Sequence, residues 1–173
     1  NSEGSVDLFW NDAKKLETTT NGITVTGTVS QTSPPAGSVL QVVYGHHTTD
    51  TGTTSETWAS SGIDATITPS ATSSKIMILA SVPVESATSA RLGAFSLYRG
   101  ASTNLGGSTY GFGTLSSTGG TTRGSFALNY LDTPATTSAT TYAVFFKTIN
   151  AGYNIKVCGG SSRASIILLE IAG

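Results

Sequence analysis

The chain lacks the residue spacing that an amphipathic helix requires. No window of a dozen residues carries apolar side chains at i, i+3, i+4 and i+7, and Gly, Ser and Thr interrupt every longer stretch. Short runs rich in Val, Ile, Tyr and Phe recur instead, and they are bounded by Gly, Ser, Asn and Pro. This pattern is typical of strands joined by turns. The sequence therefore predicts an all-β protein.

The composition favours the same fold class. Of the 173 residues only 11% are charged and 38% are hydrophobic, whereas Ser and Thr supply roughly three residues in ten. Disorder usually accompanies a high net charge, and the net charge here is -1. Thr suits a pleated strand because its Cβ is branched. The length fits one ordinary domain with a short appendage.

Two classes of partner are not expected. The 9 Lys and Arg residues are scattered and the pI is about 6.1, whereas a nucleic-acid surface needs clustered positive charge. No apolar stretch reaches the roughly 20 residues of a membrane helix, so we expect no membrane insertion. The chain starts without Met and without a visible signal peptide, and we expect a processed product or a fragment.

Residues 1–30 differ from the rest of the chain. Their strand-like runs carry alternating apolar residues, which are Val6, Leu8 and Trp10, then Ile23, Val25 and Val29. Asn11-Asp12 and Asn21-Gly22 mark turns, since these residues tolerate positive φ. Thirty such residues cannot bury an apolar stripe without copies of themselves or another chain. We therefore predict a short intertwined β-shaft that oligomerises.

Residues 31–38 form the predicted linker, because Pro34-Pro35 stiffens the chain in an extended form. Residues 39–173 form the predicted knob, a jelly-roll-like β-sandwich. Its expected strands are 39–44, 56–59, 75–84, 91–98, 124–131, 141–148, 154–157 and 162–171, with a further short strand near 64–68.

Three predicted strands carry apolar side chains on both faces. In 91–98, one side has Leu92, Ala94, Ser96 and Tyr98, and the other has Phe95 and Leu97. In 75–84, the two sets are Ile76, Ile78 and Ala80, and Met77 and Leu79. The run 166–171 has the same property. Such a pattern indicates a central strand, or one that a neighbouring subunit covers. We therefore expect the C-terminus to be a buried strand.

Two predicted loops, 46–55 and 101–123, hold the candidate receptor contacts, because loops on a rigid sandwich usually carry binding functions. The candidates are Tyr110, Phe112, Arg123, His46 and His47. Aromatic rings can stack on sugars or pack against the sandwich, and packing is favoured for Phe112. Arg123 can grip an anionic glycan, or form a surface salt bridge.

Trp58 and Tyr153 are further candidates for sugar stacking, and core packing is the favoured interpretation for Trp58. Glu170 interrupts an apolar strand. If buried, it must be paired, with Arg163, Arg91 or Arg99 of this chain or of a neighbouring chain as candidate partners; otherwise it faces water at an edge.

No metal or cofactor is expected. His46 and His47 are neighbours, and on a strand they point to opposite faces, so one chain cannot easily chelate with both. A threefold axis could gather three copies of one His, but exposed loop histidines are favoured. Cys158 is the single cysteine, which excludes an intrachain disulfide, and a buried, inert thiol is the favoured interpretation.

Catalysis is not expected either. The sequence has no Gly-x-Ser-x-Gly elbow between a strand and a helix, and its 10 acidic residues are dispersed. The glycine pairs lack the Lys-Ser/Thr of a phosphate loop. The sequence predicts a non-enzymatic protein.

A family resemblance accompanies these patterns. Residues 5–19 and 21–27 resemble the shaft unit of tail-fibre and other structural proteins of marine bacteriophages. Segments similar to the knob that often follows are 67–70, 74–79, 95–100, 104–106, 130–134, 140–142 and 169–173. The resemblance implies a homotrimeric virion fibre that ends in a host-recognition knob, while the loops 46–55 and 101–123 have no match.

Together with the predicted shaft and sandwich, the resemblance implies the tip of a phage tail fibre, located on the virion. It would join upstream fibre or other virion proteins and bind a host cell-surface glycan or outer-membrane protein. Two alternatives stay open. A carbohydrate-binding module of a secreted bacterial protein would be monomeric and would not need the shaft. A purely structural capsid or decoration fibre would be trimeric without a receptor.

Overall fold

A computed structural model describes residues 4–28, 34–86, 91–117 and 119–173. It confirms the all-β prediction, and the described residues form antiparallel sheets, one 3-10 turn and no α-helix. The chain divides into two compact units, Asn1–Pro34 and Pro35–Gly173. The predicted shaft position Val29 and linker residues 31–33 lie outside the described residues. No described helix has the length and apolarity to cross a membrane.

The first unit is a three-stranded antiparallel meander. Its strands are β1 (Asp7–Trp10), β2 (Ala13–Thr19) and β3 (Gly22–Val25), in that order. The first turn places Asn11 and Asp12 at φ of 51° and 61°, a conformation that Asn and Asp tolerate better than most residues. The second turn lies at residues 20–21, one residue before its predicted position.

One face of this meander is mainly polar, with the exposed Phe9 as its apolar exception. Asp7, Glu17 and Thr24 lie in one cross-strand row. Lys14 Nζ lies 2.9 Å from Asp7 Oδ2 and 2.7 Å from Glu17 Oε2. These ion pairs are partly exposed and contribute little to the free energy of unfolding.

The opposite face of the meander is apolar and uncovered. Leu8, Leu16 and Val25 lie in the adjacent row, so their side chains point to the other side. Leu8 and Ile23 are 56% and 66% exposed. None of residues 4–28 is buried. The meander therefore has no core of its own.

The described part of the second unit contains eleven strands. They are β4 (Val39–His47), β5 (Thr51–Thr53), β6 (Ala59–Ile67), β7 (Lys75–Ser86), β8 (Arg91–Arg99), β9 (Thr103–Asn104), β10 (Gly113–Ser117), β11 (Thr122–Asp132), β12 (Thr140–Thr148), β13 (Ile155–Val157) and β14 (Ala164–Ile171).

These strands form two antiparallel sheets. One sheet, which we call the front sheet, has the order β4-β14-β7-β11. The strand β14 pairs with the first part of β7, and β13, followed by β5, pairs with the last part of β7 on the same side. The back sheet has the order β10-β8-β12-β6, with the short β9 also paired to β8. The two sheets share one hydrophobic core, as in a β-sandwich.

Alternating residues of both sheets fill this core. The front sheet contributes Ile76 and Ile78 from β7 and Ile166 and Leu168 from β14, and all four are fully buried. The back sheet contributes Phe95, Leu97, Tyr142, Val144 and Phe146. The C-terminal run is thus an internal strand, which confirms its prediction.

The predicted strand 56–59 is wrong. The strand begins only at Ala59 and continues to Ile67, so it includes most of the short strand predicted near 64–68. Gly62 resembles a turn signal, but it sits inside β6 at φ of 79°. This φ favours glycine, and a Cβ there would also lie 2.8 Å from His47 Cε1.

The two predicted loops contain further strands. The segment 46–55 includes the end of β4 and all of β5, and 101–123 includes β9, β10 and the start of β11. Thr118 lies outside the described residues. These strands are rich in Gly, Ser and Thr, so their sequences lack the apolar run by which other strands are recognised.

Glu170 has different partners from those predicted. It is 1% exposed, so the water-facing interpretation is wrong, and no ion pair within the described residues joins it to an arginine. The backbone N–H and Oγ of Ser70 donate to Oε1 at 2.7 and 2.6 Å, and Ser74 Oγ donates at 2.6 Å. Gln41 Nε2 donates to Oε2 at 2.6 Å. Burial alone would raise the pKa of Glu170, but these hydrogen bonds outweigh it and hold the pKa at about 2.

Candidate functional site

The five predicted contact residues do not form one site. Tyr110 and Phe112 belong to a hairpin beside β8 of the back sheet. His46 and Arg123 lie on the outer face of the front sheet, and His47 points inward from β4. Tyr110 and Phe112 share one hairpin but differ in role, because Tyr110 is exposed and Phe112 is half-buried.

Tyr110 lies on a tight hairpin. Gly107 and Gly111 exchange backbone hydrogen bonds of 3.1 and 2.8 Å, which leaves residues 108–110 at the tip. Gly111 has a φ of 61°, and a Cβ there would meet the carbonyl oxygen of Phe95. The backbone thus requires glycine at this position. Tyr110 is 53% exposed and is presented by a fixed backbone.

Trp58 forms a hydrogen bond to the tip of this hairpin. Its Nε1 donates a hydrogen bond of 3.1 Å to the Ser108 carbonyl. Its ring packs against Tyr98 at 6.1 Å between centroids, and Lys147 Nζ lies 4.8 Å above it. Trp58 therefore packs against the protein, but on the outer face of the back sheet, in a small cluster with Tyr98, Ala143 and Phe145. The sequence offered no signal for the Lys147 contact.

A shallow depression of about 360 Å³ lies on the same outer face. Its floor is Ala143 and Phe145, which neighbour Asp64 and Ser60 of β6 in the strand register. Gly100, Ala101 and Thr141 complete the lining. The exposed Asp64 carboxylate and the hydroxyl groups beside an apolar floor resemble the mixture of polar and apolar groups found in ligand sites.

Phe112 packs as predicted. It is half-buried against the core, and its ring meets Tyr130 edge-on, with centroids 5.8 Å apart and an interplanar angle of 83°. Its backbone N–H donates to the Phe95 carbonyl at 2.8 Å. Tyr153 is also half-buried. Phe112 therefore supports the hairpin that carries Tyr110.

Arg123 forms a salt bridge. Its Nε lies 2.7 Å from Glu85 Oε2, and the two residues are register partners on β11 and β7. The Glu85 side chain is 10% exposed and that of Arg123 is 66% exposed. The predicted salt-bridge role is thus present, and the outer part of the guanidinium remains accessible.

The two histidines occupy strand β4, not a loop. His46 is exposed and its ring stacks on Tyr44 at 5.8 Å. His47 is half-buried, and its Nε2 shares a hydrogen bond of 3.1 Å with Thr51 Oγ1. Their opposite directions follow the strand pleat, as predicted. Within the described ranges, no three His, Cys, Asp or Glu residues are placed to hold a metal ion.

Cys158 is buried, as predicted. Its Sγ lies 3.4 Å from the His47 carbonyl, to which the thiol donates. Burial raises the pKa of this thiol, which keeps it protonated and unreactive at neutral pH.

Asp132 is a buried carboxylate with structural partners. Arg99 Nη1 donates to both of its oxygens at 3.1 and 3.0 Å, and Tyr142 OH donates to Oδ2 at 2.6 Å. Glu170 and Glu85 are likewise occupied by the contacts given above. The carboxylates of Asp132, Glu170 and Glu85 therefore stabilise the fold through hydrogen bonds and ion pairs.

Comparison with known proteins adds no identity. No protein-family model matches the chain, and no curated protein matches it in sequence.

Proposed function

We propose that the chain is the distal end of a homotrimeric virion fibre, namely the tip of a bacteriophage tail fibre. In this proposal the first unit is the end of a shaft and the second is a knob that attaches to a host cell surface. The knob binds and does not catalyse a reaction. Upstream fibre or other virion proteins are its partners on the particle.

The uncovered apolar face of the first unit carries the proposal. A sheet with three short strands and no buried residue among positions 4–28 has no hydrophobic core of its own to stabilise it. Parallel copies would bury the row Leu8, Leu16 and Val25 against one another. The polar face, with Lys14 between two carboxylates, would remain in water. Cyclic symmetry closes such an interface.

The strand order of the second unit supports a jelly roll. Its eight main strands in chain order are β4, β6, β7, β8, β10, β11, β12 and β14. They pair as nested partners, first with last and so inward: β4 with β14, β6 with β12, β7 with β11 and β8 with β10. A long hairpin rolled into two sheets gives this order, and viral capsid and lectin domains share the jelly-roll architecture.

The attachment surface lies on the back sheet in this proposal. The exposed Tyr110 and the depression beside Asp64 offer an aromatic ring, a carboxylate and hydroxyl groups, which suit a glycan. One such shallow site would bind weakly. Three copies on one fibre would bind together through their effective concentration.

Binding of the fluorescently labelled chain to a panel of bacterial cells and immobilised bacterial glycans tests the attachment role. Tyr110→Ala and Asp64→Asn should each weaken binding to any positive target, whereas Ser116→Ala, at an exposed position of β10, should not. A trimeric wild-type protein that binds no target would contradict attachment. Equal binding by all three variants would contradict the placement of the contacts.

A further inference from the structure

The outer face of the front sheet carries two apolar rows. The strand register places one residue of β4, β14, β7 and β11 in each row. The first row is Val42, Leu169, Met77 and Leu131, and the second is Tyr44, Ile167, Leu79 and Asn129. These side chains point away from the core, which receives the alternate residues of the same strands.

This face is open to solvent in the single chain. Val42, Tyr44 and Leu131 are 61%, 56% and 45% exposed. Met77, Leu79, Ile167 and Leu169 are half-buried by their neighbours within the sheet. Contiguous exposed apolar side chains on a sheet mark an interaction surface more often than isolated ones do.

Two ion pairs lie at one end of this face, and the exposed Lys75 lies at the other end, beyond the first apolar row. Arg123 pairs with Glu85 at 2.7 Å, and Lys156, the register neighbour of Glu85, pairs with Asp50 at 3.0 Å. Between these pairs and the apolar rows lie small or uncharged residues, including Ser81, Ala127 and Ser165. The two apolar rows themselves carry no charge, so copies can bring these rows together with Lys75 at the edge of the contact.

We propose that this face is the surface through which the knobs of the trimer contact one another. The inference rests on the proposed function, because it takes three chains joined at the shaft as given. The occupant of the face is a second copy of this chain.

The size of the apolar rows favours a second copy. Four strands about 4.8 Å apart and two rows about 7 Å apart give a flat area on the order of 300 Å². A stable interface between independent proteins buries about 800 Å² on each side. A patch this small suits chains that are already tethered, since tethering raises the effective concentration.

The interface orients the knob. With the front sheet turned towards the other copies, the back sheet faces outward with Tyr110 and the depression beside Asp64. His46 and Arg123, which lie on the front sheet, are then at or beside the interface and do not contact the receptor.

Chemical nitration of tyrosine, mapped by mass spectrometry on the full chain, tests this interface. Tyr44 and Tyr110 are matched, because they are 56% and 53% exposed in the single chain. In the proposed trimer, Tyr44 is accessible only while the interface is open. If this open form is a minor state of at most about 10%, the nitration rate of Tyr44 should be at least about tenfold lower than that of Tyr110. Native mass is measured on the same sample.

Val42→Lys and Ser116→Lys are the paired variants, since both positions are exposed and they lie on opposite sheets. Val42→Lys should bring the nitration rate of Tyr44 up to that of Tyr110, and Ser116→Lys should leave it slow. A trimer in which wild-type Tyr44 reacts as fast as Tyr110 would overturn the interface and leave the trimer standing. A monomeric wild-type protein would overturn the assembly on which both proposals depend.

Discussion

Tyr142 and Asp132 join the two sheets of the second unit. The Tyr142 hydroxyl, on β12 of the back sheet, donates a hydrogen bond of 2.6 Å to Asp132 Oδ2 on β11 of the front sheet. Burial and the bond to Asp132 raise the pKa of Tyr142, so the hydroxyl remains a donor at neutral pH. Arg99 Nη1 provides the other donor to this carboxylate.

Tyr142→Phe should lower the free energy of unfolding. The ring still fills the core, but the buried Asp132 loses one of its donors, which costs about 1–3 kcal/mol. Urea denaturation monitored by circular dichroism measures the change. Tyr110→Phe is the control, because that residue is exposed, and it should unfold like the wild type. Equal stability of all three proteins would mean that the inter-sheet bond does not contribute.

Glu170 should make the second unit sensitive to acid. Its pKa is lowered from 4.5 to about 2 by the bonds from Ser70, Ser74 and Gln41. A lowered pKa stabilises the folded state above pH 4.5, and this stability is lost as the pH falls from 4.5 towards 2. Thermal melts over this range should show the decline.

Glu170→Gln separates this effect from other acid-sensitive groups. The variant should melt at a lower temperature than the wild type at pH 7, because a neutral amide accepts the three bonds at Oε1 less well. Its melting temperature should then fall less between pH 4.5 and 2. Parallel pH profiles for the two proteins would contradict the assigned pKa.

Gly111→Ala should disrupt the hairpin that presents Tyr110. The new Cβ would meet the Phe95 carbonyl, and the backbone φ of 61° disfavours any residue but glycine. We therefore expect the free energy of unfolding to fall by about 2 kcal/mol or more. Gly119→Ala is the matched control, because a Cβ there has no neighbour within 4 Å. Chemical denaturation compares the two variants. A wild-type unfolding midpoint for Gly111→Ala would show that the hairpin is not held in this conformation.

Strands with apolar runs were predictable from the sequence, and strands held by backbone pairing were not. The runs in β7 and β14 alternate strongly enough to place both in the core. In contrast, β10 reads GTLSS and resembles a turn-rich loop. Its strand conformation depends on pairing with β8, which no local pattern reports.

The partners of single polar residues were equally hidden. Glu170 was recognised as a group that needs a partner, yet its donors Ser70 and Ser74 precede it by 100 and 96 residues. Nothing distinguishes these two serines from the many others in the chain. Likewise, packing of Trp58 in the core was the favoured prediction. The face of the back sheet on which its ring packs depends on the register of β12 and β8, which brings Tyr98 and Ala143 together.

Ile23→Lys should separate the chains if the first unit is a shaft. Ile23 is 66% exposed on the apolar face, and a lysine there would place a charge where copies are proposed to meet. The adjacent Thr24→Lys lies on the polar face beside Glu17 and should leave the assembly intact. Sedimentation velocity distinguishes the two. Trimers for both variants would place the contact elsewhere.

The native mass of the wild-type chain, measured by light scattering over a range of concentrations, tests the central claim most directly. A homotrimeric fibre tip predicts three times 17.6 kDa, held by the apolar faces of both units. A mass of 17.6 kDa at all concentrations would contradict it, since the uncovered row of Leu8, Leu16 and Val25 would then have no second copy to cover it.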